Sequence, residues 1–175
     1  MKNILIISAT LKNNYNLAKE LDAIVNDLKI NDSDSIKTTI ISLEDYKLPL
    51  YTECAFDENI NNYKNTISKL TNEFIENQGI IICAPEYNGS TPPIVNNAIA
   101  WISTTTDYWR DAFNKKIALI GTSSGGAGTK YITTMKLQME HLGCIVMPRA
   151  ISANKSNPLN EDSAKKILKQ FIELI

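Results

Sequence analysis

Short apolar runs rich in Ile and Val recur along the chain and alternate with longer segments whose apolar residues follow a helical period. Runs this short are typical of buried β-strands. The predicted strands are Asn3–Ser8, Lys37–Leu43, Gly79–Ala84, Lys116–Gly121 and Cys144–Pro148. The apolar stripes that follow them predict helices through Leu17–Leu28, Ile60–Phe74, Ile94–Ile102, Ile132–Leu142 and Ala164–Ile172, the fourth of which is closed by Gly143.

Regular alternation of strand and helix requires right-handed crossovers and a parallel sheet with helices on both faces. No repeat or linker divides the chain, so residues 1–175 are predicted to form one three-layer, doubly wound α/β domain. Asn31–Ser35 is predicted to be a surface loop and Tyr46–Asp57 a longer connection. With five strands the expected order is 2-1-3-4-5, and ligands then bind outside the carboxyl ends of strands 1 and 3. Function is therefore sought in the loops after strands 1, 3 and 4.

Composition and charge narrow the class of protein. With 43% hydrophobic residues, 21% charged residues and a formal net charge of -1, the chain is typical of a globular domain. That charge balance does not favour nucleic acid or an anionic membrane as a partner. Cys54, Cys83 and Cys144 form no CxxC pair, which argues against a disulfide framework or zinc site and favours a reducing compartment. The apolar run Ile4–Ile7 is too short for a signal peptide, so we expect a cytoplasmic protein.

The loop after the first strand, Ser8–Asn16, has the chemistry of an anion site. Thr10, Lys12, Asn14 and Asn16 supply hydroxyl, ammonium and amide groups just before a predicted helix. Free backbone N–H groups and the positive end of a helix dipole suit a phosphate. The first acidic residue of the chain is Glu20, so we expect no acid near this loop that would repel an anion. A polar loop with Asn14 or Asn16 as a plain N-cap explains the same residues equally well.

The loops after strands 3 and 4 suit a flat ligand. Residues 84–93 read Ala-Pro-Glu-Tyr-Asn-Gly-Ser-Thr-Pro-Pro, a stiff segment with one tyrosine that is able to pack against a ring. Residues 121–128 carry four glycines and no charge, which allows close backbone approach. Each loop also has a purely structural explanation as a turn. Neither a Walker sequence nor GxGxxG is present, which disfavours a P-loop nucleotide site and a Rossmann dinucleotide site.

The run Pro85-Glu86-Tyr87-Asn88, continued by Ser90, Pro92, Asn97-Ala98-Ile99 and Trp101, resembles the signature of the NADPH-dependent FMN reductase family, which includes bacterial chromate, quinone and azo-dye reductases. The first loop is similar to the family's phosphate loop, and residues 123–126 to its flavin-edge loop. The segment Leu48-Pro49-Leu50-Tyr51 is also similar, so that the resemblance extends from the first strand to about Pro148.

The resemblance implies a flavodoxin-like fold that binds FMN non-covalently and uses NADPH or NADH as co-substrate. It implies that the phosphate is held by Thr10, Lys12, Asn14 and Asn16, that the isoalloxazine faces Pro85, Glu86, Tyr87 and Asn88, and that its pyrimidine edge meets Ser123 and Gly126. Lys12 stands where the family usually has Arg, and Asn14 where it usually has Ser. Glu86 is expected to orient backbone groups and not to transfer protons.

Several other residues are expected to have structural roles and not to take part in the flavin site. His141 is expected at the surface near a helix C-terminus, and Cys83 in the core. Trp101 is expected in the core or in a subunit contact. The aromatic residues Tyr108, Trp109 and Phe113 are expected to serve packing or a dimer surface.

The expected function is the passage of hydride from NAD(P)H through FMN to small acceptors such as quinones, azo dyes, chromate or free flavin. We expect a ping-pong mechanism and a homodimer or homotetramer. No catalytic side chain and no metal are expected. An electron carrier that serves protein partners is the alternative. A signalling receiver is disfavoured, because Ser8, Ala9 and Ala84 stand where its acids would lie.

Overall fold

A computed structural model describes residues 1–31 and 35–175, and in these ranges strands and helices alternate along most of the chain. The strands are β1 (Lys2–Ser8), β2 (Ile36–Ser42), β3 (Gly79–Cys83), β4 (Ile117–Ser123), β5 (Ile145–Val146) and β6 (Ile151–Ala153). The α-helices are α1 (Asn13–Asn31), α2 (Glu53–Glu76), α3 (Pro93–Ser103), α4 (Thr129–His141) and α5 (Glu161–Leu174), and a 3₁₀ helix covers Leu43–Tyr46. The loop predicted over residues 31–35 includes 32–34, which lie outside the described ranges.

The sheet is parallel and has the order β2-β1-β3-β4-β5, which confirms the predicted strand order. Successive side chains of β1 point to opposite faces, as the pleat requires. Leu5 and Ile7 pack in the core with α2, α3 and α4, whereas Ile4 and Ile6 pack in the core with α1 and α5. The carboxyl ends of β1, β3 and β4 consequently lie side by side at one end of the sheet.

The fifth position of the sheet is occupied by two short strands instead of the single strand predicted over Cys144–Pro148. β5 pairs with Ile117–Ala118 at the start of β4, and β6 pairs with Gly121–Ser123 at its end. The two strands are separated by four residues, Met147, Pro148, Arg149 and Ala150. Proline has no N–H to donate to a ladder, so it interrupts the strand after the bond from Met147 N–H to the Ala118 carbonyl.

The connection after β2 is shorter than predicted. It was expected to extend to Asp57, but α2 begins at Glu53 because the Thr52 side chain caps the helix and accepts from the N–H of Ala55 at 2.9 Å. Two side chains of α3 hold this connection: Asn97 Nδ2 and Trp101 Nε1 donate to the Pro49 carbonyl at 2.9 and 2.8 Å. Trp101 is fully buried, which places it in the core.

None of the helices in the described part of the chain has the length and apolarity that crossing a bilayer would need.

Candidate functional site

The loops after β1, β3 and β4 open onto one cavity of about 520 Å³ at the carboxyl end of the sheet. Seven of the ten residues predicted to bind the cofactor line it: Thr10, Lys12, Asn14, Pro85, Glu86, Tyr87 and Ser123. The volume lies within the range of pockets that take small molecules and cofactors. The position is where an order reversal in a parallel sheet is expected to create a ligand site.

The other three predicted residues lie at the margins of this cavity. Asn16 lines a neighbouring cavity of about 400 Å³, on the far side of Asn13 and Ser123, which border both. Asn88 is exposed at the tip of the second loop, and Gly126 follows Gly125, which lines the cavity wall.

The first loop presents unpaired backbone donors to the cavity. The first hydrogen bond of α1 runs from Asn16 N–H to the Lys12 carbonyl at 3.1 Å. Among the described residues, the N–H groups of Thr10, Leu11 and Lys12 have no acceptor. The Lys12 side chain is exposed beside them, at the positive end of the α1 dipole. This combination suits a phosphate dianion.

Asn14 departs from the pattern of an exposed phosphate ligand. Only 2% of the residue is exposed. Its Nδ2 donates to the Ser123 carbonyl at 3.0 Å, and its Oδ1 accepts from the Ser123 N–H at 2.8 Å. The amide group therefore links the first loop to the third.

The second loop is a short hairpin that holds a tyrosine at the cavity. Tyr87 and Ser90 exchange backbone hydrogen bonds of 3.1 and 3.0 Å. Between them, Asn88 and Gly89 have φ values of 51° and 73°, the left-handed pair that an Asn-Gly type I′ turn requires. Tyr87 is 49% exposed, so a face of its ring is free to meet a ligand.

Glu86 connects the second loop to α4. Its Oε2 accepts from the N–H groups of Lys130 and Tyr131 at 3.0 and 3.3 Å, in the first turn of the helix. Its own N–H donates to Ser124 Oγ at 2.7 Å. Glu86 thus orients backbone groups, as expected from the sequence.

The third loop leaves space above its glycines. A Cβ atom built on Gly125 or Gly126 meets no atom within 4 Å. Neither glycine has a positive φ, so packing and backbone conformation do not require glycine there. The two glycines therefore leave the backbone open to close approach by a ligand.

Sequence reasoning missed the contribution of the segment after β2. Glu44, in the 3₁₀ helix, lines the cavity because β2 lies next to β1 in the sheet. The expectation that no acid lies near the first loop was therefore wrong in space, although it holds along the chain. Ser124 and Gly125 also line the cavity. They were not predicted as individual site residues, although the Gly-rich segment that contains them was predicted to form part of the site.

Two buried titratable groups, at the end of β3 and in α4, stay neutral. Cys83 ends β3 and is fully buried, and burial raises the pKa of its thiol to about 12. Burial also raises the pKa of the Tyr131 hydroxyl, which donates to the Ile82 carbonyl at 3.1 Å. His141 is exposed at the far end of α4 and stacks near Trp109 with ring centroids 5.4 Å apart. The helix separates His141 from the cavity by roughly 20 Å at 1.5 Å per residue.

A model of the NADPH-dependent FMN reductase family matches residues 2–158. The chain belongs to this family. FMN is therefore the cofactor to be expected in the cavity, with NAD(P)H as co-substrate.

Two curated relatives match parts of the chain. An uncharacterized protein of Mycoplasma pneumoniae is 26% identical over 118 residues, which are 66% of this chain and 63% of that protein. The NADH:(hydroxy)cinnamate reductase subunit CrdA of Vibrio ruber is 28% identical over 82 residues, 47% of this chain and 37% of that protein. The chain thus spans less than two thirds of the length of the curated relatives it matches.

Solved structures share the fold at low identity. FerB, a flavoenzyme NAD(P)H:(acceptor) oxidoreductase from Paracoccus denitrificans, has a TM-score of 0.75 and 19% identity over 99% of this chain and 97% of its own. NADH:FMN oxidoreductase (EMOB) has a TM-score of 0.73 and 15% identity, with 99% and 89% covered. A flavodoxin from the domain Archaea has a TM-score of 0.62 and 11% identity, with 98% and 96% covered. These superpositions establish the flavodoxin-like fold.

The residues of the cavity fit FMN part by part. The unpaired N–H groups of the first loop and the Lys12 ammonium suit its phosphate. The carboxylate of Glu44 is an acceptor and suits hydroxyls of the ribityl chain. Tyr87 and the open backbone at Gly125 suit the edge and face of the ring system.

Proposed function

We propose that the protein is an FMN-dependent reductase that takes electrons from NADH or NADPH and passes them to small acceptors such as quinones, azo dyes, chromate or free flavin. The observation that carries this proposal is the open cavity formed by the three loops, which is lined by the half-exposed Tyr87 and by first-loop residues with unpaired N–H groups.

Each loop has a distinct part in holding the cofactor. Thr10 and Lys12, with the backbone of the first loop, bind the phosphate, and Asn16 lies at the outer margin of that group. Pro85, Tyr87 and Asn88 face the ring system, where the hairpin limits the entropy lost on binding. Ser123 and Gly126 border the pyrimidine edge. Glu86 keeps the second loop in place through α4.

The protein itself supplies positions and not reactive side chains. The redox chemistry would be supplied by bound FMN, through which electrons would pass from NAD(P)H to an acceptor. The one charged residue of the second loop, Glu86, is hydrogen-bonded to α4, and the third loop carries no charge, so we infer that one face of the site is open to planar molecules of either kind. NAD(P)H and the acceptor then occupy the same face in turn, which implies ping-pong kinetics with parallel lines in double-reciprocal plots.

Anaerobic stopped-flow mixing of the FMN-loaded protein with NADH and with NADPH tests the proposal. We expect at least one of them to bleach the visible absorbance of the flavin in a single phase and a quinone to restore it. Failure of both nicotinamides, with reduction by dithionite alone, would exclude the reductase and favour an electron carrier that serves protein partners. Intersecting lines in the double-reciprocal plots would exclude the shared face.

We also propose that the protein works in the cytoplasm. Cys54, Cys83 and Cys144 are all free thiols, and Cys54 is exposed. Exposed free thiols persist in reducing compartments. Fractionation of the native cells with detection by antibody tests the location.

A further inference from the structure

Among the residues that the structure describes, the Asn14 side chain is hydrogen-bonded to Ser123 alone, which lies 109 positions later in the chain. One amide group donates to the carbonyl of that residue and accepts from its N–H. This is the way in which the peptide groups of one strand pair with those of the next. We name this pair of bonds the Asn14–Ser123 link.

The end of the sheet explains why Ser123 takes a side chain as partner. β3 ends at Cys83, and the N–H of Ala84 donates to the Gly121 carbonyl at 3.1 Å. Ser123 is two residues beyond Gly121, so its backbone groups face the same side, where β3 has already ended. On the other side, Ser124 N–H donates to the Ala153 carbonyl of β6. Asn14 therefore completes the pairing of β4 at the cavity.

The link has a geometrical consequence for the cavity. It holds the first turn of α1 against the residue from which the third loop departs. The first loop carries the unpaired N–H groups, and the third carries the open glycines. The buried amide of Asn14 therefore bridges these two ligand-facing surfaces directly.

We propose that Asn14 is a positioning residue for the flavin site, which fixes the spacing of the first and third loops and makes no essential contact with the phosphate. This inference rests on the proposed function only in taking the cavity as the flavin site. It differs from the role implied by the family resemblance, in which Asn14 binds the phosphate directly.

The two roles predict different responses to a ligand that lacks the phosphate. When a variant populates the binding arrangement less often, the affinity of every ligand that needs this arrangement falls by the same factor. FMN and riboflavin share the ring system and the ribityl chain and differ by the phosphate alone. The ring system that both flavins share meets the third loop at Ser123, which Asn14 holds, so a positioning residue lowers the affinity for both flavins, whereas a phosphate ligand affects FMN alone.

The experiment titrates apoprotein with FMN and with riboflavin by flavin fluorescence, for the wild type, Asn14→Ala, Asn14→Leu and two reference variants. Asn14→Leu keeps the side-chain size without the hydrogen bonds. Lys12→Gln removes the phosphate-facing charge, and Asn62→Ala changes an exposed asparagine on α2. We expect both Asn14 variants to lose about tenfold in affinity for each flavin, from the unpaired backbone groups of Ser123. Lys12→Gln should weaken FMN only, and Asn62→Ala neither flavin.

Either of two results would overturn the inference: a loss confined to FMN in the Asn14 variants, or no loss for either flavin. If wild-type apoprotein bound neither flavin, the proposed function itself would fall, and that result is distinguishable from both.

A measurement on the wild type covers the case in which the Asn14 variants do not fold. Amide hydrogen exchange in the apoprotein should show the Ser123 N–H protected and the N–H groups of Gly125 and Gly126 exchanging fast. Equal rates at the three positions would mean that the Asn14–Ser123 link does not persist in solution, and the inference would fail.

Discussion

At the scale of single residues, the site separates positions that are exposed for a ligand from positions that hold the loops. Lys12 is exposed beside unpaired N–H groups, whereas Asn14 is buried and bonded to the third loop. Both lie in one short segment, and their sequence context does not distinguish them. What distinguishes them is a partner from β4, which only the folded chain brings into contact.

The charge of Lys12 is expected to contribute directly to FMN affinity. A charge-assisted hydrogen bond contributes about 1.5–3 kcal/mol, so Lys12→Ala should weaken FMN about tenfold to a hundredfold. Lys12→Arg should retain or improve affinity, because a guanidinium binds a phosphate through two parallel bonds. Titration of apoprotein with FMN measures both, with Lys64→Ala on the exposed surface of α2 as control. Unchanged affinity in Lys12→Ala would move the phosphate site elsewhere.

The glycines of the third loop offer a matched pair of substitutions. At Gly126 a Cβ meets open space and φ is not positive, so Gly126→Ala should leave the melting temperature unchanged. It should nevertheless weaken FMN about tenfold, if the added methyl group overpacks the ligand. Gly128 has φ 65° and a Cβ there would lie 2.8 Å from Thr122, so Gly128→Ala should lower the stability by at least about 1 kcal/mol. Thermal unfolding and FMN titration of both apoproteins test this prediction. Equal behaviour of the two variants would contradict it.

At the scale of elements, each loop of the cavity is tied to a helix or strand that is not its own. Glu86 bonds to the first turn of α4, Asn14 to the end of β4, and Asn97 of α3 holds the connection after β2. Loops with such ties are preorganised, which lowers the entropy that binding a flat ligand costs.

The tie between Glu86 and α4 should be measurable in the free energy of unfolding. Its carboxylate accepts from two N–H groups at the positive end of the helix, so Glu86→Ala should destabilise the apoprotein by roughly 1 kcal/mol. Glu140→Ala, at the negative end of the same helix, should be neutral or slightly stabilising, since it removes an unfavourable charge. Urea unfolding gives both values from the midpoints at constant slope. Equal effects of the two variants would exclude the capping role.

At the scale of the whole molecule, the sequence was sufficient for the sheet and its order but not for the tertiary contacts of the site. Runs such as Ile4–Ile7 are apolar because both faces of the strand are covered, and that pattern is visible without a structure. The entry of Glu44 into the cavity and the pairing of Asn14 with Ser123 depend on neighbours in space that are far apart in sequence. The break at Pro148 was readable from the missing N–H, but the short β6 carried too few residues to predict.

The surface at the opposite end of the molecule bears on assembly. Of the three aromatic residues expected to serve packing or a dimer surface, Phe113 is buried and contacts Phe74, with ring centroids 5.3 Å apart. Tyr108 and Trp109 are 50% and 37% exposed, and Trp109 adjoins His141 at the end of α4 that is remote from the cavity. A dimer formed through this surface would leave the flavin cavity uncovered. A tetramer would need a second interface, and that second interface could cover the cavity.

We predict a homodimer or homotetramer. The variant Trp109→Glu should distinguish an interface at the Trp109 end from an interface at the cavity. A charge on this surface would have to be desolvated in an apolar contact, so it should disrupt association through the Trp109 end. Because that end is remote from the cavity, FMN affinity should stay within about twofold of the wild type, well under the tenfold that 1.4 kcal/mol represents. Light scattering at micromolar concentration gives the mass, and FMN titration of the same samples gives the affinity. A wild-type mass equal to the 19.5 kDa of one chain would exclude assembly altogether. Dissociation accompanied by loss of FMN would instead place the disrupted interface at the cavity.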